Sequence, residues 1–247
     1  MKHANTSYSN IRLPDCLCAT GTAVLAFLTL LALPVGAATV LNPNFENPTL
    51  ANDGDFNGED ADTSWIHFAG GGPGGGVYNP PEEFFTNASG TGTPTGANGT
   101  NVYSTNAGTT LDSYFGAYQE ITDTQLTGGT TYTLTVAVGD YKTLTPGNWH
   151  LAISTSSMNL GTYLIDLSGS ASSLTNDQFK DFSVSYAATG SESQIGENLK
   201  ITFWGQNDGG GEEYVPFDNV RVDVVPEPST ALLGILGSLF LVRRRRK

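Results

Sequence analysis

The chain has 247 residues with 24 acidic and 11 basic side chains, but between Thr39 and Val225 there are 22 acids and only 4 bases. Such a surface repels nucleic acid and anionic lipid, which excludes functions built on contact with a phosphate backbone. Both cysteines, Cys16 and Cys18, precede residue 39, so the central part folds without disulfides, and it is long enough for one well-buried core.

Residues 1–38 read as a secretory signal peptide. Lys2 and Arg12 precede an apolar run from Ala23 to Ala37, which is broken at Pro34. Small residues at Gly36, Ala37 and Ala38 then place cleavage after Ala37 or Ala38. An uncleaved amino-terminal anchor is the alternative, because the segment before the apolar run is long and contains Asp15. The expected location is therefore exported, at the cell surface or beyond it.

The exported part, residues 39–225, opens with LNPNFENP (Leu41 to Pro48). Next comes DGDFNGEDADTS, Asp53 to Ser64, which places Asp53, Asp55 and Asn57 at alternate positions with Gly58 following. Alternate oxygen ligands ahead of a glycine turn are the first half of a calcium loop. Ser64 stands where such a loop carries a bidentate acid, so a solvated acidic loop is the competing reading. The glycine-rich runs Gly70 to Gly76 and Ser89 to Thr100 cost conformational entropy to order and are expected as long surface loops. Short strands are expected around Trp65 to Phe68 and Asn101 to Ser104. No Lys-Ser/Thr follows the glycines, which argues against a phosphate cradle.

From Tyr132 onward the apolar residues alternate: Tyr132, Leu134, Val136, Val138; Trp149, Leu151, Ile153; Phe182, Val184, Tyr186; Leu199, Ile201, Phe203; Val220, Val222, Val224. Period two in segments rich in Thr, Val and Tyr predicts half-buried strands. Turn formers separate them at Gly128-Gly129, Pro146-Gly147-Asn148, Ser168 to Ser173 and Asp208 to Gly211. The pattern predicts an all-β antiparallel sandwich.

Residues 226–247 form the last segment: Pro226, Glu227 and Pro228, an apolar stretch at about 229–242, then Arg243, Arg244, Arg245, Arg246 and Lys247. Prolines keep the triplet extended. About 14 apolar residues is at the short edge of a membrane span, and the basic cluster would hold that end in the cytoplasm. The order of these signals resembles the PEP-CTERM sorting tail, which is also labelled an ice-binding protein C-terminal domain. That resemblance implies an exosortase-type processing enzyme as partner, transient anchoring through a short C-terminal transmembrane helix, and association with extracellular polysaccharide.

A second resemblance rests on the Asn-Phe-Glu opening, the strand LTGGTTYTLTVAVGDY (Leu126 to Tyr141) and the closing VPFDNVRVDV (Val215 to Val224). Together they resemble galactose-binding-like jelly rolls, many of which are carbohydrate-binding modules. The resemblance implies a structural calcium held by a Glu near the first strand and an Asp of the last, which correspond to Glu46 and Asp218. It also directs attention to aromatic faces that could stack on sugar rings: Trp65, Tyr78, Tyr141, Trp149, Trp204 and Tyr214. Trp204 is out of phase with Ile201 and Phe203 and so points away from the core, and Tyr141 lies just past a strand end. These two are the preferred glycan contacts, while Trp149 and Trp65 are expected in the core.

Catalysis has little support in the sequence. The exported part holds two histidines, His67 and His150, no cysteine, and neither a Gly-x-Ser-x-Gly elbow nor a His-Glu-x-x-His helix. The expectation is a non-enzymatic surface protein that mediates adhesion or glycan binding. A ligand-free structural matrix protein and a secreted glycan-processing enzyme are the alternatives.

Overall fold

The computed structural model describes residues 36–58, 63–81, 84–85, 96–174, 178–209 and 211–227. Thirteen strands are found among them: β1 (Gly36–Ala37), β2 (Phe56–Asn57), β3 (Ile66–Gly70), β4 (Gly74–Tyr78), β5 (Val102–Gly108), β6 (Tyr114–Gln125), β7 (Thr130–Gly139), β8 (Thr145–Pro146), β9 (Asn148–Thr155), β10 (Ile165–Gly169), β11 (Phe179–Ala188), β12 (Asn198–Gln206) and β13 (Glu213–Pro226). They form two sheets. The larger runs β11-β7-β13-β5-β4-β2, with β1 and β8 also pairing with β13, and the smaller runs β10-β9-β12-β6-β3. Every pairing is antiparallel except the two-residue β8 beside β13. The protein is an all-β antiparallel sandwich.

The alternation read from the sequence decides which side chains face inward. Leu134, Val136 and Val138 of β7 meet Leu151 and Ile153 of β9, Ile201 and Phe203 of β12, and Val220 and Val222 of β13 in one core. Trp65 and Trp149 are both in it, as the phase of their neighbours predicts. One end of the core is aromatic. Phe45 packs against Trp65 at 5.6 Å and Tyr103 at 5.4 Å, and Trp65 lies 5.1 Å from Phe203 between ring centroids. Tilted and edge-on contacts at these separations add to the burial of apolar area.

The first glycine run departs from expectation. Gly70 ends β3 and Gly74 to Gly76 begin β4, so most of the predicted loop is sheet. Space explains this. A Cβ on Gly75 would lie 2.6 Å from both the Phe115 ring and the Ser104 carbonyl oxygen, so only glycine lets β4 lie this close to its neighbours. Gly75→Ala is expected to lower stability by about 1–3 kcal/mol, measurable as a lower urea midpoint at unchanged slope.

The expected leader and the expected C-terminal transmembrane helix fall on residues outside those described. Among the described residues no helix is long and apolar enough to cross a membrane. Residues 1–35 and 228–247, which hold the expected leader and the Arg243 to Arg246 cluster, lie outside the described residues, as does Pro228. Pro226 is the last residue of β13, and the Glu227 amide donates to the Gly129 carbonyl at 2.7 Å.

Candidate functional site

The outer face of the larger sheet carries a cavity of about 700 Å³. Its base is built by side chains that alternate with the core residues of two paired strands. On β5, Ser104 and Asn106 face outward while Tyr103 and Thr105 face inward, and on β13 Tyr214 faces outward beside the inward Val215. Its walls are aromatic: Phe56 of β2, Tyr78 of β4, Phe84 and Tyr141. Their rings form a continuous cluster, with Tyr78 at 6.3 Å from Phe84 and 6.4 Å from Tyr141, and Phe84 at 5.6 Å from Tyr141. Behind them a second small core of Phe85, Val102, Ala137, Tyr141 and Phe179 holds the wall against the sheet. Gly74 and Gly75 leave the adjoining wall bare of side chains.

A polar group sits at the rim. Asn106 Oδ1 accepts the Gly108 amide at 2.8 Å, which fixes the orientation of its side chain. Its Nδ2 then donates to Glu212 Oε1 at 2.7 Å and to the Tyr214 hydroxyl at 3.0 Å. The Asn106 amide and the Tyr214 hydroxyl hold the Glu212 carboxyl below the usual carboxylate range. Burial, and then Glu212 itself, push the Tyr214 phenol up to about 12. At neutral pH the site therefore combines a carboxylate with protonated phenols around an apolar space.

Glu46 and Asp218 do come together, farther along the same face. Asp218 precedes a β-bulge in β13, with Asn219 at φ +48°, and bulges re-aim side chains in this way. Both acids bind the segment that leads into β5. Asp218 Oδ2 accepts the Asn98 amide at 2.5 Å, and Glu46 Oε1 accepts the amides of Thr100 and Asn101, each at 2.8 Å. Gly99 is required between them, with φ +97° and no room for a Cβ against the Glu46 carboxyl. Burial pushes the Asp218 carboxyl up to about 7; the amides of Asn98 and Asn219 oppose this and the nearby Glu46 adds to it. A hard cation fits the chemistry of this pair, since Asp218 Oδ1 and Oδ2 each accept a single amide and Glu46 Oε2 accepts only the Thr100 hydroxyl at 3.5 Å, which leaves lone pairs on these three oxygens. No group of three or more His, Cys, Asp or Glu that could hold a metal occurs among the described residues.

Among the described residues of the alternative loop, Asp53, Asp55 and Asn57 are not gathered on one point. Asp55 Oδ2 accepts from both nitrogens of Asn52 at 3.0 Å, and Asn57 is paired into β2 against Val77. Asp53 is exposed, and residues 59–62 lie outside the described residues.

The two preferred aromatic contacts do not share a surface. Tyr141 lies against the outer face of the larger sheet, whereas Trp204 lies on the outer face of the smaller one. Trp204 does point away from the core, but it is only 8% exposed. His150 stacks on it at 4.4 Å and 5°, and Tyr163 stacks at 5.4 Å and 24°. Its ring faces are occupied by the protein's own side chains, so it offers no platform for a sugar. Neither histidine lines the large pocket.

A family model described as HpiC1-like, HpiC1 cyclase, matches residues 36–223. The chain belongs to the HpiC1-like cyclase family. Solved cyclases have the same fold. A Stig cyclase, Fisc from Fischerella sp. TAU, in complex with (3Z)-3-(1-methyl-2-pyrrolidinylidene)-3H-indole, is 20% identical with a TM-score of 0.64, covering 78% of this chain and 100% of its own. An apo cyclase from Fischerella sp. is 22% identical with a TM-score of 0.64, over 78% and 98% of the two chains. A cyclase from Fischerella sp. TAU in complex with 4-(1H-indol-3-yl)butan-2-one is 21% identical with a TM-score of 0.62, over the same shares. No curated protein matches this sequence.

Membership in the HpiC1-like family corrects three expectations. The family spanning the sandwich is a cyclase family and not a surface-sorting one. The adhesion and glycan-binding function is overturned with it, as is the expectation of a non-enzyme. The pocket contains Tyr78, Tyr141 and Tyr214 from the aromatic candidates but also Phe56, Phe84, Ser104, Asn106 and the neighbouring Glu212, which the sequence did not single out. Alternation in β5 was a usable signal for Ser104 and Asn106, because they sit between inward residues. Nothing in the sequence marks Phe56, Phe84 or Glu212.

Proposed function

We propose that this HpiC1-like chain is a cyclase that binds a flat aromatic substrate of the indole class in the outer-face pocket and folds it for ring closure. The observation that carries this reading is the aromatic cage of Phe56, Tyr78, Phe84 and Tyr141 around a space of about 700 Å³, with polar groups confined to its base and rim. The indole-bearing ligands in two of the similar cyclases support the substrate class. Ring closure within one molecule needs its two reacting carbons held in contact and water excluded, which an apolar cage does. Positive charge that develops on the aromatic ring during closure is stabilised by the surrounding ring faces. Glu212, ionised at the rim, is the group to accept the proton that leaves as aromaticity returns. On this reading the sandwich is a galactose-binding-like jelly roll, a structural calcium binds at Glu46 and Asp218, and residues 1–38 export the protein, with cleavage after Ala37 or Ala38 removing the two-residue β1 from the edge of β13.

Calorimetric titration of the full chain with 4-(1H-indol-3-yl)butan-2-one tests the site. Wild type is expected to bind, Tyr78→Ala and Phe84→Ala to bind about tenfold more weakly or worse, and Trp204→Phe to bind as wild type. Binding that survives both cage substitutions but falls with Trp204→Phe would place the site on the other sheet.

A further inference from the structure

The aromatic wall of the pocket holds one polar group that the packing leaves without a partner. Tyr141 follows β7 by two residues, is 3% exposed, and has its ring wedged against Phe84 and, at 5.1 Å, against Phe85. Its hydroxyl oxygen is buried and has no hydrogen-bond partner among the described residues. The Ser104 side chain lies near the phenol and partly offsets the upward push of burial, but the pair does not reach full hydrogen-bond geometry. A buried hydroxyl left in this state is unfavourable, and a phenylalanine would fill the same space without that penalty. Tyr141 is also one of the residues that line the cavity on this face, so a ligand seated there lies against it. Burial drives the phenol far above its ordinary range, with Tyr78 and Tyr214 adding to the effect, so it keeps its proton throughout the physiological range.

We infer that Tyr141 is the polar anchor of this pocket, its hydroxyl donating to a neutral hydrogen-bond acceptor, a carbonyl oxygen or an imine-type nitrogen, on an otherwise apolar aromatic ligand. A protonated phenol is a better donor than acceptor, because its oxygen lone pair is shared with the ring. The anchor selects among ligands of equal apolar area. One that carries the acceptor pairs the hydroxyl, whereas one that lacks it seals the hydroxyl unpaired beneath its ring. Tyr141 is thus a specificity-determining residue, and the substrate class narrows to flat aromatics with an acceptor on the side chain. This inference rests on the pocket being the substrate site.

The test compares the full-length wild type with Tyr141→Phe, titrated with two probes: the indolyl ketone named above and 3-butylindole, which has the same carbon skeleton without the carbonyl. Tyr141→Phe is expected to weaken the ketone about tenfold and to leave 3-butylindole unchanged or tighter. Its thermal midpoint without ligand is expected to equal or exceed that of wild type, because the substitution removes only an unpaired hydroxyl. Equal binding of the ketone by both proteins overturns the anchor and leaves the pocket standing. Equal loss of both probes in the variant also overturns it, since the ring's packing and not its hydroxyl would then matter. If neither probe binds wild type, the substrate-site reading fails and the anchor fails with it.

Discussion

In the presence of chelator the protein will lose stability as the pH rises from 5 to 8, the reverse of what an acidic protein with paired carboxylates usually shows. The cause is Asp218. Its carboxyl is pushed up to about 7 in the folded state, mainly by burial, against an ordinary value of 3.8. Between about pH 4 and pH 7 the unfolded chain has lost this proton while the folded chain keeps it. The folded state then binds more protons, so stability falls with increasing pH across that window. The upper bound is on the order of 4 kcal/mol at pH 8, because each tenfold change in proton affinity is worth about 1.4 kcal/mol. Below that window the sign reverses, because Glu192 is held at about 2 and Glu197 is held low, so acid removes their contributions. Urea unfolding at pH 5, 6 and 8 in chelator measures the slope directly. Calcium binding at Glu46 and Asp218 would replace the missing proton, so it should restore the midpoint at pH 8 and add little at pH 5. Glu46→Gln should abolish the calcium response. A profile that stays flat from pH 5 to 8 in chelator would sink this account of the acid pair.

Phe45→Ala will be the most damaging single truncation in the aromatic end of the core. Phe45 has no exposed surface and contacts Trp65, Tyr103 and Phe203. It also sits at φ +55°, a left-handed conformation that a large side chain adopts only where surrounding contacts enforce it. Truncation removes the ring but leaves partners from both sheets in place, and it should cost about 3–5 kcal/mol. That is a large part of the 5–15 kcal/mol that separates folded from unfolded states in most domains. The urea midpoint should fall accordingly. Phe45→Leu should cost markedly less, because leucine refills much of the volume. A loss below about 1 kcal/mol for the alanine variant would show that this end of the core collapses around the gap. Glu46 is the next residue, so the same ring also fixes where one of the two acids stands.

Most of the sandwich is legible in the sequence because alternation is a local signal. Strands β7, β9, β12 and β13 each announce their inward face through three or four apolar residues at period two. Phase alone sends Trp149 inward and Trp204 outward. Strand β4 could not be read this way, since Gly74 to Gly76 have no side chains to alternate, and their placement depends on the closeness of Phe115 and Ser104. The pocket was less legible still. It draws on residues from Phe56 to Tyr214, and only the pairing of β4, β5 and β13 brings them together. Glu46 and Asp218 were found because a resemblance pointed to them, not because spacing did. The antiparallel sandwich follows from alternation, but neither that resemblance nor the tail reported the chemistry. A likeness of fold carries no statement about function, and the burial of Trp204 beneath His150 and Tyr163 could not be read from period two.

Strand β1 pairs with the far end of β13, Gly36 opposite Val224 and Ala37 opposite Asp223. The two limits of the domain are thus side by side: residue 36 is one ladder rung from residue 224, and Glu227 is about 10 Å of extended chain beyond that. A short glycine-serine linker could close this gap without bending either strand, and new ends could then be opened in the exposed turn at residues 189–191. Such a circularly permuted protein would keep every sheet pairing and both ends of the pocket wall. It would also free the sandwich from whatever precedes or follows it in the chain, so that the chemistry of the pocket could be measured with no leader or tail attached.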